Sequence, residues 1–106
     1  MPETPFNRIW DTHVIKDYGD GRGLIHIDQH FIHEGTSGRA FDGLRRAGPP
    51  VRRKDLTFGV IDHGISTLPG RTVESWRPTR DRNLQMRRNC SDFDVRLFDV
   101  GDPGPA

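Results

Sequence analysis

The chain has 106 residues, enough for one domain, and only 32% of them are hydrophobic, which is a thin apolar share for a self-sufficient core. Sixteen basic and fifteen acidic residues leave a formal net charge of +1, so no whole-chain field attracts nucleic acid or an anionic membrane, and neither partner is predicted. A single cysteine, Cys90, cannot form an internal disulfide or hold zinc or an iron–sulfur cluster by itself.

The N-terminal third is predicted to contain a short helix, a turn and two further segments. Phe6, Ile9 and Trp10 fall at helical spacing and predict a helix over residues 4–10. Three glycines predict a turn at 18–23, the apolar residues 24–27 predict a buried strand, and a second segment follows at 29–34. The first residues lack the character of a signal peptide, and no apolar stretch approaches the length of a membrane span, so we expect a cytoplasmic location.

A capped helix and a buried strand follow. Thr36 or Ser37 is a natural N-cap and Gly48 a natural stop, which predicts a helix between them. The apolar side chains of this helix form one stripe: Ala40, Phe41, Leu44 and Ala47. Residues 57–63 begin as an apolar run, which predicts a short buried strand.

Asp62 and His63 close this apolar run. Open α/β sheets place ligand sites just outside the carboxyl ends of their strands, which is where this pair is expected to lie. A carboxylate can orient an imidazole and raise its pKa toward neutrality, which makes the imidazole a usable general acid. Such a dipeptide is also typical of a turn with a surface histidine, so by itself it assigns no function.

The C-terminal part is predicted to be a loop at 64–70, an amphipathic helix at 79–93, a strand at 95–98 and a flexible Pro/Gly-rich end at 101–106. Met86, Cys90 and Phe93 share one face of that helix, so Cys90 is predicted to pack in the core. The order strand, helix, strand, helix, strand predicts an α/β fold with a short, mainly parallel sheet. A chain of this length cannot cover both faces of such a sheet well.

Histidines are concentrated near the start of the chain. Four of the five lie in its first third: His13, His26, His30 and His33. His26, Asp28 and His30, or His30 with His33, contain ligand types that a catalytic metal uses, so a metal-dependent hydrolase is one open alternative. The spacing matches no known metal motif and favours structural or supporting roles for these side chains.

Residues 27–45 resemble a motif near the start of the large subunit of 3-isopropylmalate dehydratase, a family of the aconitase superfamily. The motif reads I-D-x-H-x-x-H-E-x-T-S-x-x-A-F-x-x-L. Further matches keep the family's order: Asp11-x-His13, Val51-Arg52-Arg53, Thr57-Phe58, Asp62-His63, Ser66-Thr67, and Asn89-Cys90 through Phe98-Asp99. The resemblance spans nearly the whole chain and implies a partial aconitase-like α/β/α layer.

The activity that this resemblance implies is a hydro-lyase reaction in leucine biosynthesis. The enzyme isomerises 2-isopropylmalate to 3-isopropylmalate by dehydration and rehydration. The resemblance implies that Asp62 and His63 deliver the proton to the leaving hydroxyl, and that His33, Thr36 and Ser37 bind the small hydroxy acid. Homoaconitase and methylated-malate hydratases share this front segment, so the substrate stays open.

The family's remaining parts are expected elsewhere. Its 4Fe-4S cluster is bound by three cysteines and its catalytic base comes from a small, swivelling subunit, and this chain contains neither. We therefore expect residues 1–106 to be an incomplete N-terminal portion that binds no metal or cluster alone, is inactive alone, and has the remainder of the large subunit and the small subunit as partners. The alternative is a truncated, inactive homologue that serves as an interaction module or survives as a relic. Gly64 stands where the family commonly has asparagine, which is expected to remove a side-chain contact and loosen the loop.

Overall fold

The structure is a computed structural model that describes residues 3–102. Its elements, in chain order, are α1 (Pro5–His13), β1 (Val14–Asp17), β2 (Gly23–Ile25), β3 (His30–His33), α2 (Ser37–Ala47), β4 (Thr57–Val60), α3 (Arg80–Asp92) and β5 (Arg96–Phe98). Of the predicted flexible end, residues 101 and 102 form a turn and a bend, and 103–106 lie outside the described residues. Within residues 3–102, no helix has the length and apolar character needed to cross a bilayer.

Strands β3, β4 and β5 form a parallel sheet in that order, with His33 opposite Val60 and Val60 opposite Phe98. Helix α2 connects β3 to β4, and α3 connects β4 to β5. Because strand order follows chain order, right-handed crossovers place both helices on one face of the sheet. Arg45 of α2 joins the two helices, since it donates to Asn89 Oδ1 at 2.6 Å and to Asp92 Oδ2 at 2.7 Å. The predicted α/β fold with a short, mainly parallel sheet is confirmed.

Local capping signals set the ends of the first two helices. The Thr4 hydroxyl oxygen accepts the Asn7 N–H at 3.1 Å, which caps α1. Gly48 ends α2 with a φ of 97°, and its N–H donates to the Leu44 carbonyl at 2.8 Å. This left-handed conformation is one that glycine adopts at low cost, and it confirms the predicted stop.

The core lies between the parallel sheet and the two crossover helices. Its buried apolar residues are Phe41, Ile61, Val73, Met86, Cys90 and Val95. Cys90 is 2% exposed, and burial raises the pKa of its thiol to about 11, so the prediction that it packs in the core is confirmed. Gly59 of β4 lets α3 approach closely, because a Cβ there would lie 2.9 Å from both Cys90 Sγ and Met86 Cε.

The other face of the sheet carries a row of three phenylalanines. Successive strand residues point to opposite faces, so Phe58 lies away from Gly59 and α3. Its ring stacks on Phe31 with the centroids 5.6 Å apart and contacts Phe98 at 6.2 Å. Phe31 is 52% exposed. Parallel sheets are normally covered on both faces, and this row marks the face that stays partly open.

Strands β1 and β2 form a separate antiparallel ribbon, with Asp17 opposite Gly23. The predicted turn between them is confirmed, but the prediction of a buried strand at 24–27 is wrong. The strand ends at Ile25, and Leu24 and Ile25 are 49% and 45% exposed. Among residues 3–102, the ribbon pairs with no strand of the parallel sheet. The Trp10 ring packs closely at Gly23, in the space that a Cβ would occupy there.

His13 ties α1 to the segment that follows β2. Its Nε2 lies 2.8 Å from Asp28 Oδ2, and its Nδ1 lies 2.7 Å from the Ile9 carbonyl oxygen. The hydrogen bond to the Asp28 carboxylate is the main cause that raises the pKa of His13 above its ordinary 6.5. The same bond lowers the pKa of Asp28. The pair is thus a surface ion pair.

The close approach at Gly59 predicts opposite effects for the same substitution at two glycines. Gly59→Ala is expected to lower the free energy of unfolding by about 1–3 kcal/mol, because the new methyl group overpacks the contact with α3. Gly43→Ala is the control, because Gly43 lies in α2 with nothing within 4 Å of the added Cβ. Alanine there is expected to raise the free energy of unfolding by about 0.5–1 kcal/mol. Urea denaturation measures both, and equal effects would contradict this packing.

The His13 contact predicts a pH dependence. Because the folded pKa of His13 lies above 6.5 and that of Asp28 lies below 3.8, the ion pair contributes its full stability between about pH 3.8 and 6.5 and loses it as the pH rises through the folded pKa of His13. Asp28→Asn is expected to lower the pKa of His13, as read from its imidazole proton shifts in an NMR titration. Asp11→Asn, which removes an exposed carboxylate from the same helix, is the control and should lower it less.

Candidate functional site

The carboxyl ends of β3 and β4 lie side by side, because these parallel strands are paired up to His33 and Val60. The residues that follow each strand are therefore neighbours at one sheet edge, where open α/β folds carry their ligand sites. Glu34 follows β3, and Ile61, Asp62 and His63 follow β4. The sequence prediction that Asp62 and His63 lie at this edge agrees with the structure.

The imidazoles of His33 and His63 stack on each other at this edge. Their ring centroids are 3.7 Å apart and the rings are inclined by 12°. Nδ1 of His63 lies 2.5 Å from Asp62 Oδ1, so the carboxylate fixes one side of the ring and leaves Nε2 on the other. The side chains of His63 and Asp62 are 60% and 57% exposed, which makes this ring accessible to a ligand.

Glu34 holds the backbone beneath the His63 ring. It is 5% exposed, and its Oε1 accepts the N–H of His63 at 2.7 Å and the N–H of Gly64 at 2.5 Å. Oε2 is buried and has no hydrogen-bond partner among residues 3–102. Sequence reasoning missed this role. The one signal was a carboxylate directly between a strand and a helix N-cap.

The carbonyl of Gly64 is held from the opposite side. It accepts the Thr79 hydroxyl at 2.5 Å and the side-chain N–H of Asn83 at 2.9 Å, and Asn83 is fully buried. A Cβ on Gly64 would lie 2.6 Å from Thr79 Cγ2. The expectation that Gly64 loosens the loop is therefore wrong, since the missing side chain allows the loop to be fixed against α3.

The predicted substrate-binding residues differ in what their side chains contact. Nδ1 of His33 accepts the Gly35 N–H at 3.1 Å, and its Nε2 lies 3.3 Å from the Thr36 hydroxyl. The Ser37 hydroxyl donates to the His33 carbonyl at 2.7 Å, and Ser37 is buried. His33 and Thr36 are thus adjacent, while Ser37 can face a ligand only through its backbone. Their roles stay predictions.

Two cavities are lined by residues next to His63, one by Asp62 and the other by His33. One, of about 360 Å³, lies at the ends of β4 and β5 and is lined by Asp62, Ser66, Thr67 and Arg71 among others. The second, of about 660 Å³, runs between β3 and α2 and is lined by His33, Thr36 and Ser37 among others. Asp62 thus lines the first cavity, His33, Thr36 and Ser37 line the second, and His63 lines neither of the two. Arg71, a cation that lines the same cavity as Asp62, is a further candidate that sequence reasoning missed.

The same edge contains a set of potential metal ligands. In the part of the chain that the structure describes, His33, Glu34 and His63 alone form a group of three whose ligand atoms lie within 4.8 Å of one another. The ring nitrogens present their lone pairs in the ring planes, and the two planes are nearly parallel, so the lone pairs do not converge as a tetrahedral ion requires. The group therefore lacks the geometry of a zinc site. In the other candidate metal site, His26, Asp28 and His30, the Asp28 carboxylate is paired with His13.

A family model described as the aconitase family (aconitate hydratase) matches residues 7–104. The matched range includes every candidate site residue named above. No solved structure matches the chain.

The fixed loop predicts that position 64 does not tolerate a side chain. Gly64→Ala is expected to lower the free energy of unfolding by about 1–3 kcal/mol, because its methyl group collides with Thr79. Gly38→Ala is the control, since an added Cβ there has no neighbour within 4 Å and should be neutral or stabilising. Urea denaturation compares the two, and a neutral Gly64→Ala would show that the loop is loose.

Proposed function

Because this chain belongs to the aconitase family, we propose that it is the front part of a hydro-lyase of the 3-isopropylmalate dehydratase type. The complete enzyme converts 2-isopropylmalate to 3-isopropylmalate by removing water and adding it back. The observation that carries the proposal is the exposed His63 ring, which is oriented by Asp62 and stacked on His33 at the carboxyl edge of the sheet.

His63 is proposed as the proton donor. Hydroxide is a poor leaving group, so a proton must reach the substrate oxygen as the carbon–oxygen bond breaks. The Asp62 carboxylate holds Nδ1 and stabilises the protonated ring, while Nε2 faces outward as the donor. After the proton leaves Nε2, the neutral imidazole keeps its orientation because Nδ1 still donates to Asp62.

The anionic substrate is proposed to bind beside this ring. The N-terminus of α2 presents free backbone N–H groups, and Thr36 makes no side-chain cap there, so a carboxylate can accept from them. Arg71 adds a positive charge in the cavity that Asp62 also lines. His33 stacks on His63 and its Nε2 lies 3.3 Å from the Thr36 hydroxyl, which supports its proposed role as a hydrogen-bonding residue for the substrate.

The family implies a 4Fe-4S cluster, and the residues of this chain do not fit one. Cys90 is the sole cysteine in the sequence, it is 2% exposed, and its thiol pKa is raised to about 11. Cluster iron needs several accessible thiolates. We therefore assign the cluster and the catalytic base to partners, the remainder of the large subunit and the small swivelling subunit, in a cytoplasmic enzyme.

The partly open face of the sheet supports such a partner. Phe31, Phe58 and Phe98 form an apolar row there, and a parallel sheet is normally covered on both faces. The lack of cluster ligands equally supports a second candidate function, an inactive homologue that acts as an interaction module. A third candidate function is a related hydratase that acts on another hydroxy acid with the same site residues.

The proposal predicts a specific loss on removing the imidazole. The chain is supplied together with the remaining large-subunit sequence and the small subunit of a 3-isopropylmalate dehydratase, and turnover of 2-isopropylmalate is measured. His63→Ala is expected to lower kcat by about 10²–10⁴-fold with little change in KM, because a general acid acts in the transition state.

His26→Ala removes an exposed histidine that directly follows β2 and is the matched control, expected to leave turnover unchanged. A His63→Ala variant with near-normal kcat would overturn the acid assignment. A folded assembly without turnover on any hydroxy acid of this class would favour the interaction module.

A further inference from the structure

We propose that Glu34 is a positioning residue that fixes the His63 imidazole without contacting the substrate. This inference rests on the proposed role of His63 as the acid, and it concerns how the chain keeps that ring in place. Nothing in the sequence motif assigns such a role to Glu34, and the contacts that carry it join residues about thirty positions apart.

The Glu34 carboxylate accepts hydrogen bonds from the backbone that carries the His63 side chain. One oxygen, Oε1, accepts two consecutive backbone N–H groups, those of His63 and Gly64, at 2.7 and 2.5 Å. Hydrogen bonds to an ionised acceptor are shorter and stronger than neutral ones, and two bonds to adjacent peptides fix the direction of that backbone segment. The carboxylate therefore sets where the His63 side chain leaves the main chain.

The backbone at Gly64 is also held through its carbonyl group. The Gly64 carbonyl accepts from Thr79 and Asn83, both neutral donors on or next to α3. Glu34 is the carboxylate member of this clamp and directly follows β3. It thereby connects the end of β3 to the loop after β4, and α3 holds that loop in place.

The Glu34 carboxylate is buried, which keeps it away from a substrate bound at the His63 ring. Glu34 is 5% exposed and its Oε2 is buried, so a substrate at the exposed His63 ring cannot reach the carboxylate. Its neighbour His33 supplies the ring on which His63 stacks. Two consecutive residues at the end of β3 thus fix both the backbone and the ring of His63.

The experiment uses NMR on the 106-residue chain, so its readout does not depend on activity. In the native chain, the His63 and Gly64 amide protons are expected downfield because of their short bonds, and the His63 ring protons upfield because of the stack on His33. In Glu34→Ala, both sets should move toward random-coil values. In Glu34→Gln, whose amide oxygen can still accept, the ring shifts should persist and the two amide protons should move only part of the way.

Glu74→Ala removes an exposed carboxylate outside the site and is the control, expected to leave all four signals in place. The amide signals of Met86 and Val95 report whether the core is intact. Unchanged His63 and Gly64 signals in a folded Glu34→Ala chain would overturn the proposal. If Glu34→Ala does not fold, Glu34→Gln decides, because unchanged amide shifts in that variant would overturn it as well.

A second readout distinguishes this inference from the proposed function. In the assembled enzyme, Glu34→Ala should lower kcat on the order of 10²-fold, as expected for a misplaced reacting group, and Glu34→Gln should restore most of it at unchanged KM. If His63→Ala leaves turnover intact while the NMR shifts behave as stated, the acid assignment fails and the positioning by Glu34 stands.

Discussion

The contact on which the site depends is the one between the Glu34 carboxylate and the two peptide N–H groups after β4. Parallel pairing brings the ends of β3 and β4 together, but it stops at His33 and Val60. Beyond that point the loop after β4 has no neighbouring strand to pair with, and the Glu34 carboxylate accepts its backbone N–H groups instead. Hydrogen bonds to a charged group contribute about 1.5–3 kcal/mol each, and burying the carboxylate offsets part of that gain. The loop is therefore ordered where the imidazole must be.

The sequence predicted most of the fold because its signals there are local. The stop at Gly48, the apolar stripe of α2 and the face of α3 that contains Met86 and Cys90 all depend on spacing within one element. The prediction of a buried strand at 24–27 was wrong because a short apolar segment has the same sequence pattern in an exposed ribbon as in a buried sheet. What decides between them is whether other elements cover the strand, and the sequence of that segment does not contain this information.

The placement of Asp62 and His63 was predictable from the sequence, and the contacts that support them were not. Asp62 and His63 follow an apolar run, which is a pattern that can be read directly. Glu34, Thr79 and Asn83 act through contacts with residues 15 to 30 positions away, and no periodicity indicates them. Glycine usually makes a loop flexible, but at Gly64 the lack of a side chain permits close packing against Thr79.

The row of phenylalanines on the open sheet face has a consequence for the life of the chain in a cell. Aromatic surface of this kind is what chaperones bind and what leads unassembled chains to aggregate. A copy made in excess of whatever covers the row would be retained by chaperones or degraded. With the proposed remainder of the large subunit as that cover, the amount of usable protein would follow the supply of this partner.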